Sequence, residues 1–288
     1  MTNSGTPTAI EAPSGKNQEY ENFPVGSWLL PAHLRPHIAT FYWFARTIDD
    51  IADSNFLSAE EKVQRLSRFE ETLLGQAKAS SGFEKAQAMR QSLQETGITD
   101  QHCRDLVTAF KRDATKSRYV DWPDLMDYCR YSASPVGRYL IDLHGGSEAD
   151  YPPSDALCSA LQILNHLQDC KEDFETLDRV YLPLDVLEQN GALVTDLAAD
   201  SSSQGLRNVI LNLLLKTAEL IEQSRELPLR LSSRRLAIES QAIINIANQL
   251  KLELTRRDPV AERVKLSKFQ YVSCCARGAL RAALLRRL

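Results

Sequence analysis

IATFYWFARTIDDIAD, residues 38–53, decides the fold class. Ile38, Phe41, Tyr42, Ala45 and Ile48 recur at steps of three and four, the period of one face of an α-helix. The run ends in Asp49-Asp50-Ile51-Ala52-Asp53, where Asp49 and Asp53, four apart, project from one helix face. The same period continues outward. It links Val63, Leu66, Phe69 and Leu73, and then Leu157, Ala160, Leu161, Leu164 and Leu167 behind an N-cap candidate at Ser154. Leu206–Leu227 and Leu231–Leu254 are long, amphipathic and rich in Leu and Ala. No stretch alternates with a period of two, and no Asn-Gly turn marks a hairpin. Loops are expected near 54–58, 75–82, 145–153, 175–183 and 199–203. The expectation is one all-α domain of roughly eight to ten helices over residues 19–288. Residues 1–18, rich in Ser, Thr, Gly and Pro, read as a disordered tail.

A second acidic cluster, Asp169-Cys170-Lys171-Glu172-Asp173, repeats the spacing of the first, with Asn165 one turn earlier. Like charges four apart on a helix repel by a few tenths of a kcal/mol when exposed, and by far more when buried. Two such pairs, each set in an apolar helix, therefore call for compensating cations. Carboxylate oxygens are hard ligands suited to Mg²⁺, which keeps waters and shares one or two carboxylates with substrate phosphates. Two Asp faces looking at each other across a bundle would thus hold Mg²⁺ against a diphosphate. Arg46, three residues before Asp49, shares its face as a phosphate partner or a local salt bridge. Four aromatics in a row, Phe41-Tyr42-Trp43-Phe44, cannot all face one core; any that line a tunnel can shield a carbocation.

Composition removes other classes. The 288 residues carry 34 Lys and Arg against 38 Asp and Glu, a net charge of −4, and 43% are hydrophobic. That is ordinary globular composition. No run approaches the roughly 18–20 apolar residues of a membrane span, and the first residues lack the basic start and apolar block of a secretory signal. The chain is expected to be soluble and cytoplasmic. Six cysteines show no zinc or Cys-x-x-Cys spacing and read as reduced, mostly buried thiols. A di-iron bundle needs Glu-x-x-His, but Leu30, Leu34, Thr99, Ile141 and Ile163 occupy the positions three before the histidines. No nucleotide or serine-hydrolase motif is present. Residues 256–288 hold nine Lys and Arg against Asp258 and Glu262, a net +7 that leaves −11 for residues 1–255. This basic segment suits either a solvated helix face or an anionic membrane surface; nothing else points to nucleic acid.

These residues resemble the squalene/phytoene synthase family from about residue 20 to 275. The stretch Tyr42–Asp53 is similar to its first Asp-rich signature, with Ala45 where a Cys is common. Asn165–Phe174 followed by Arg179-Val180-Tyr181-Leu182-Pro183 is similar to its second. Asp113, Arg118-Tyr119 and Tyr128-Cys129 are similar to its middle segment. The resemblance implies a single-domain, isoprenoid-synthase-type helical bundle with a central cavity. It implies Mg²⁺ held by Asp49, Asp53, Asp169 and Asp173, and diphosphate contacts from Arg46, Asn165 and Arg179. Tyr42, Asp50, Gln168 and Tyr128 join these as substrate contacts.

Three departures narrow the reading. Gln168 replaces the usual Arg before the second Asp box, and Tyr131-Ser132-Ala133-Ser134-Pro135-Val136-Gly137 replaces the commoner V-A-G-x-V-G. With Glu21-Asn22-Phe23-Pro24-Val25, they resemble the bacterial hopanoid-pathway branch that turns presqualene diphosphate and water into hydroxysqualene and diphosphate. Gln168 is a candidate for positioning that water. Asp178, where Gly usually precedes the Arg, is expected to alter the turn and with it the role of Arg179. The resemblance implies no nucleotide cofactor. Its rivals are a condensing enzyme that joins two prenyl diphosphates and a non-catalytic relative. An isoprenoid lipid substrate also implies peripheral contact with the membrane through the Arg- and Leu-rich residues 276–288.

Overall fold

The structure, a computed structural model, describes residues 30–77 and 81–285, without the side chains of 279 and 281–285. The reading of 1–18 as a disordered tail lies outside the described residues, as does Glu21–Val25. The helices are α1 (Arg35–Asp53), α2 (Ala59–Leu73), α3 (Glu84–Thr96), α4 (Gln101–Asp113), α5 (Trp122–Ser132) and α6 (Ser134–Leu143), then α7 (Tyr151–Gln168) and α8 (Cys170–Leu177). After these come α9 (Leu184–Gln189), α10 (Gln204–Gln223), α11 (Leu227–Arg230), α12 (Arg234–Arg256) and α13 (Lys268–Leu285). Among the described residues the only β pairing is an isolated bridge between Arg118 and Val180. The fold class is all-α, as the periodicity predicts. Helices outnumber the expectation because α8, α9 and α11 are too short to show a hydrophobic period.

Local chemistry sets the helix starts. Ser58 caps α2 through a reciprocal pair with Glu61. Ser203 and Ser233 accept from Leu206 and Leu236 at the starts of α10 and α12. The start of α7 corrects the sequence reading. The helix begins at Tyr151, not after Ser154, because Pro152 and Pro153 sit in its first turn, where a missing N–H costs nothing. Ser154 is therefore a buried residue inside α7.

The aromatic run sorts by helix face. Phe41 and Phe44 are buried, Phe41 stacking on Tyr139 at 4.0 Å and Phe44 packing on Phe69. Trp43 points outward, 41% exposed, with Lys85 Nζ 5.9 Å from its ring centre. Tyr42 faces inward to the cavity. The helices α1, α4, α5, α6, α7 and α12 each contribute side chains to the wall of that cavity, of about 360 Å³.

The cysteines are all free; Cys103, Cys129, Cys170 and Cys274 are buried, Cys158 and Cys275 partly so. Burial pushes the thiols of Cys129, Cys158 and Cys170 up to about 12, so they stay protonated and unreactive at neutral pH.

Candidate active site

Both Asp boxes open onto one cavity. Asp49 and Asp53 reach it from the end of α1, and Asp169 and Asp173 from the junction of α7 and α8. Asp169 is not within a continuous helix. At φ −105°, ψ 9° it forms the joint between α7 and α8, yet its carbonyl still accepts from the Asp173 N–H at 2.8 Å. The i, i+4 register read from sequence survives the bend.

Each box meets a fixed cation. Arg46 bridges Asp49 at 3.0 Å and Asp50 at 2.5 Å. Arg179 donates to Asp53 at 2.5 Å and to the carbonyl of Ala52 at 2.8 Å. Arg263 meets Asp169 at 2.9 Å. Burial disfavours the charge on Arg46, but Asp49 and Asp50 outweigh it and hold the guanidinium above its ordinary value. Arg179 is 6% exposed; burial again opposes its charge, and Tyr181, Asp113 and Asp53 overcome it. Arg179 thus serves as a buried counter-ion that aims Asp53.

The disturbance expected from Asp178 does not occur. Asp178 adopts φ 51°, ψ 35°, the left-handed cap that glycine takes most easily. Arg118 holds it there, donating to its carbonyl and to its carboxylate. The turn still delivers Arg179 to Asp53.

Behind the boxes lies a buried aromatic layer. Tyr119, Tyr128 and Tyr181 pack ring to ring, and His166 stacks on Tyr181 at 3.5 Å. Asp113 anchors the layer, accepting from Tyr128 at 2.7 Å and Tyr181 at 3.1 Å. Burial pushes Asp113 up to about 6, and the Arg179 charge works against that rise. Burial, reinforced by the Arg179 charge, drives His166 down to about 3, so its imidazole is neutral at pH 7. Its 3.9 Å approach to Asp173 is then no ion pair. Most of the rest of the wall is apolar, including Leu30, Ile38, Phe41, Phe110, Leu157 and Leu161, with Ser132, Ser154, Gln162, Glu239 and Ser240 as its polar members.

A sequence model of the squalene/phytoene synthase family matches residues 16–270. The chain belongs to the squalene/phytoene synthase family. Among curated relatives, the hydroxysqualene synthase of Rhodopseudomonas palustris is 43% identical over 97% of this chain and 94% of its own length. That of Zymomonas mobilis is 41% identical over 88% of this chain and 86% of its own. Among solved structures, the squalene synthase HpnC of Alicyclobacillus acidocaldarius superposes with a TM-score of 0.72 at 30% identity, covering 83% of this chain and 90% of that one.

Within this squalene/phytoene synthase, most residues singled out from sequence share the cavity wall: Tyr42, Arg46, Asp49, Asp53, Tyr128, Asn165, Asp169, Asp173 and Arg179. Two do not. Asp50 is turned to Arg46 and is absent from the wall. Gln168 is also off the wall; its side-chain amide is buried and donates to the carbonyl of Val264 at 2.5 Å, tying α7 to the segment before α13. This contact ties Gln168 to Val264 and leaves it off the cavity wall, where the sequence reading expected a substrate contact and water-positioner. Ser132, His166, Glu239 and Arg263 were not singled out from the sequence. Only Glu239 left a signal there: a carboxylate on the apolar face set by Leu236 and Ile243, three and four residues away. No helix of the described residues is long and apolar enough to cross a membrane.

Proposed function

We infer that this chain converts presqualene diphosphate and water to hydroxysqualene and diphosphate. The observation that carries the reading is a single cavity with acid-rich helix ends at one end and an apolar, aromatic wall along its length. Relatives named hydroxysqualene synthase at 41–43% identity direct the choice of product.

The donor set fits Mg²⁺ in a particular way. Among the described residues no three acidic or histidine groups converge on one point. Asp49, Asp53, Asp169 and Asp173 would instead each offer a hard oxygen to Mg²⁺, which shares its coordination with water and diphosphate oxygens. When bound there, Mg²⁺ would add positive charge against the leaving diphosphate.

The chain's own groups do the rest. Arg46 presents a fixed guanidinium beside Asp49, and Asn165 lies one turn before Asp169 on the same wall. Arg179 holds Asp53 in place. The C–O bond to diphosphate breaks with its electron pair leaving on oxygen. The apolar wall keeps bulk water from the cation, and the faces of Tyr42 and Tyr128 shield it. One water adds to carbon, and its proton passes to the released diphosphate, a base the reaction itself supplies.

A C30 lipid substrate leaves a bilayer to reach this cavity. Phe269, Val272 and Leu280 on α13 are exposed apolar residues beside Lys268 and Arg277, a composition suited to peripheral contact with an anionic surface. In the tail 276–288, the side chains of 279 and 281–288 lie outside the described residues.

The test offers purified protein and Mg²⁺ either presqualene diphosphate or farnesyl diphosphate, without NADPH, with products identified by mass spectrometry. Hydroxysqualene from presqualene diphosphate alone is the expected result. Consumption of farnesyl diphosphate would move the chain to the condensing branch, and no turnover of either would revive the non-catalytic relative.

A further inference from the structure

Below its acidic end the cavity wall is mostly apolar, with a few polar side chains, one of which is Ser132. Ser132, at the end of α5, is 8% exposed, lines the cavity, and its Oγ has no hydrogen-bond partner among the described residues. Buried hydroxyls are nearly always paired, so such an orphan on a cavity wall calls for a ligand.

Its height in the cavity follows from contacts on either side. Tyr128, one turn earlier on α5, has its ring 6.0 Å from that of His166 on α7. Further on, a Cβ at Gly137 would lie 2.3 Å from Ser154 Oγ and 2.7 Å from Cys158 Sγ, so α6 crosses α7 there in near contact. The chain from 128 to 137 therefore descends α7 from 166 toward 154–158. Ser132 falls between, at the level of Gln162, which also lines the cavity. The Gln162 amide nitrogen lies 3.1 Å from His166 Nε2, so its side-chain oxygen is the group left for another partner. Seven residues of α7 separate Gln162 from Asp169, about 10 Å of helical rise. That places Ser132 and Gln162 just below the diphosphate end, where the first carbons of a bound prenyl diphosphate lie.

We propose that Ser132 Oγ, with the carbonyl of Gln162 opposite, holds the water that captures the carbocation. The site rests on the functional reading above and names the residues that would make the product an alcohol. A buried water needs two to four polar partners, and Ser132 with the Gln162 side chain supplies two at this level of the wall. In the step itself, a lone pair of the held water forms the C–O bond. The Ser132 hydroxyl keeps that lone pair aimed, and one O–H proton leaves to the diphosphate. Ser132 is a positioning residue for water, not a base.

The test compares the unmodified enzyme with Ser132→Val, Ser132→Ala and Ser132→Thr, measuring diphosphate release and the share of hydroxysqualene among C30 products. Alanine removes the hydroxyl from the serine, and valine, which has the shape of threonine, removes it from the Ser132→Thr variant at matched volume. Release is expected to stay within about three-fold in Ser132→Val and Ser132→Ala, while the hydroxysqualene share falls about five-fold or more, as loss of one water-holding hydrogen bond predicts. Hydrocarbons formed by proton loss would replace it. Ser132→Thr restores the share. An unchanged share in Ser132→Val with normal release overturns the proposal, as does equal loss of release in all three variants, which would make Ser132 a packing residue. If the unmodified enzyme itself makes no hydroxysqualene from presqualene diphosphate, the functional reading fails instead, whatever the variants do.

Discussion

Glu239 offers a quantitative test of how the cavity is built. Its side chain is 5% exposed on α12, it lines the cavity, and Oε2 has no hydrogen-bond partner among the described residues. Burial alone pushes its carboxyl up to about 8 from an ordinary 4.5. Tyr271 and Cys275 on α13 are the ionisable groups that bear on it, and both are neutral at pH 7, being held above their ordinary values by burial. The folded chain therefore keeps a proton here that the unfolded chain releases. Because the folded value is the higher one, stability falls as pH rises from 4.5 and levels off above about 8. Full displacement corresponds to at most about 5 kcal/mol, and relaxation of the site reduces it. Glu239→Gln keeps the shape and removes the titration. The variant should match the unmodified protein at pH 5 and exceed its melting temperature by several degrees at pH 8.5, since about 1 kcal/mol moves a domain of this size by about 2 °C. Parallel melting curves at both pH values would refute the reasoning and show Glu239 to be solvated or paired.

Other parts of the account are open to equally direct tests. Asp49→Ala and Asp169→Ala should each lower turnover about 100-fold or more. They should also abolish the rise in melting temperature that Mg²⁺ with inorganic diphosphate gives the unmodified protein through ligand linkage; intact activity in both would remove the metal assignment. Arg179→Met should cost about 3 kcal/mol, because it leaves Asp53 and the buried Asp113 without their counter-ion, and a melting temperature within about 1 °C of the unmodified value would count against it. Phe269→Asp and deletion of 277–288 should each weaken sedimentation with anionic phospholipid vesicles, and unchanged binding would discard the membrane-facing role of α13.

What was legible in the sequence is what a single helix determines by itself. The steps from Ile38 to Ile48 fix which side of α1 is buried, and the same register carries Asp49 and Asp53 to the cavity. The demand for cations beside clustered carboxylates also follows from the sequence alone, and Arg46 answers it from one turn away. The identity of distant partners does not. Arg263 lies in a basic segment that reads as a solvated face, and only the return of the chain after α12 brings it to Asp169, 94 positions away. Gln168 occupies a site-like position in sequence, but its side chain donates to the carbonyl of Val264, 96 positions away. Ser132 shows in the sequence only as part of the departing segment 131–137; that its hydroxyl is unpaired is defined by what surrounds it, which no local pattern records. Short helices such as α11 were missed because four residues cannot display a period of 3.6.

The central step is cleavage of the bond between carbon and the diphosphate oxygen, with water supplying the new oxygen. It is tested most directly by turning over presqualene diphosphate in ¹⁸O-labelled water and weighing the product. The account predicts hydroxysqualene carrying the heavy oxygen on carbon, with none of the label-free alcohol. An alcohol that retains the substrate's own oxygen would mean cleavage at phosphorus, and would contradict it.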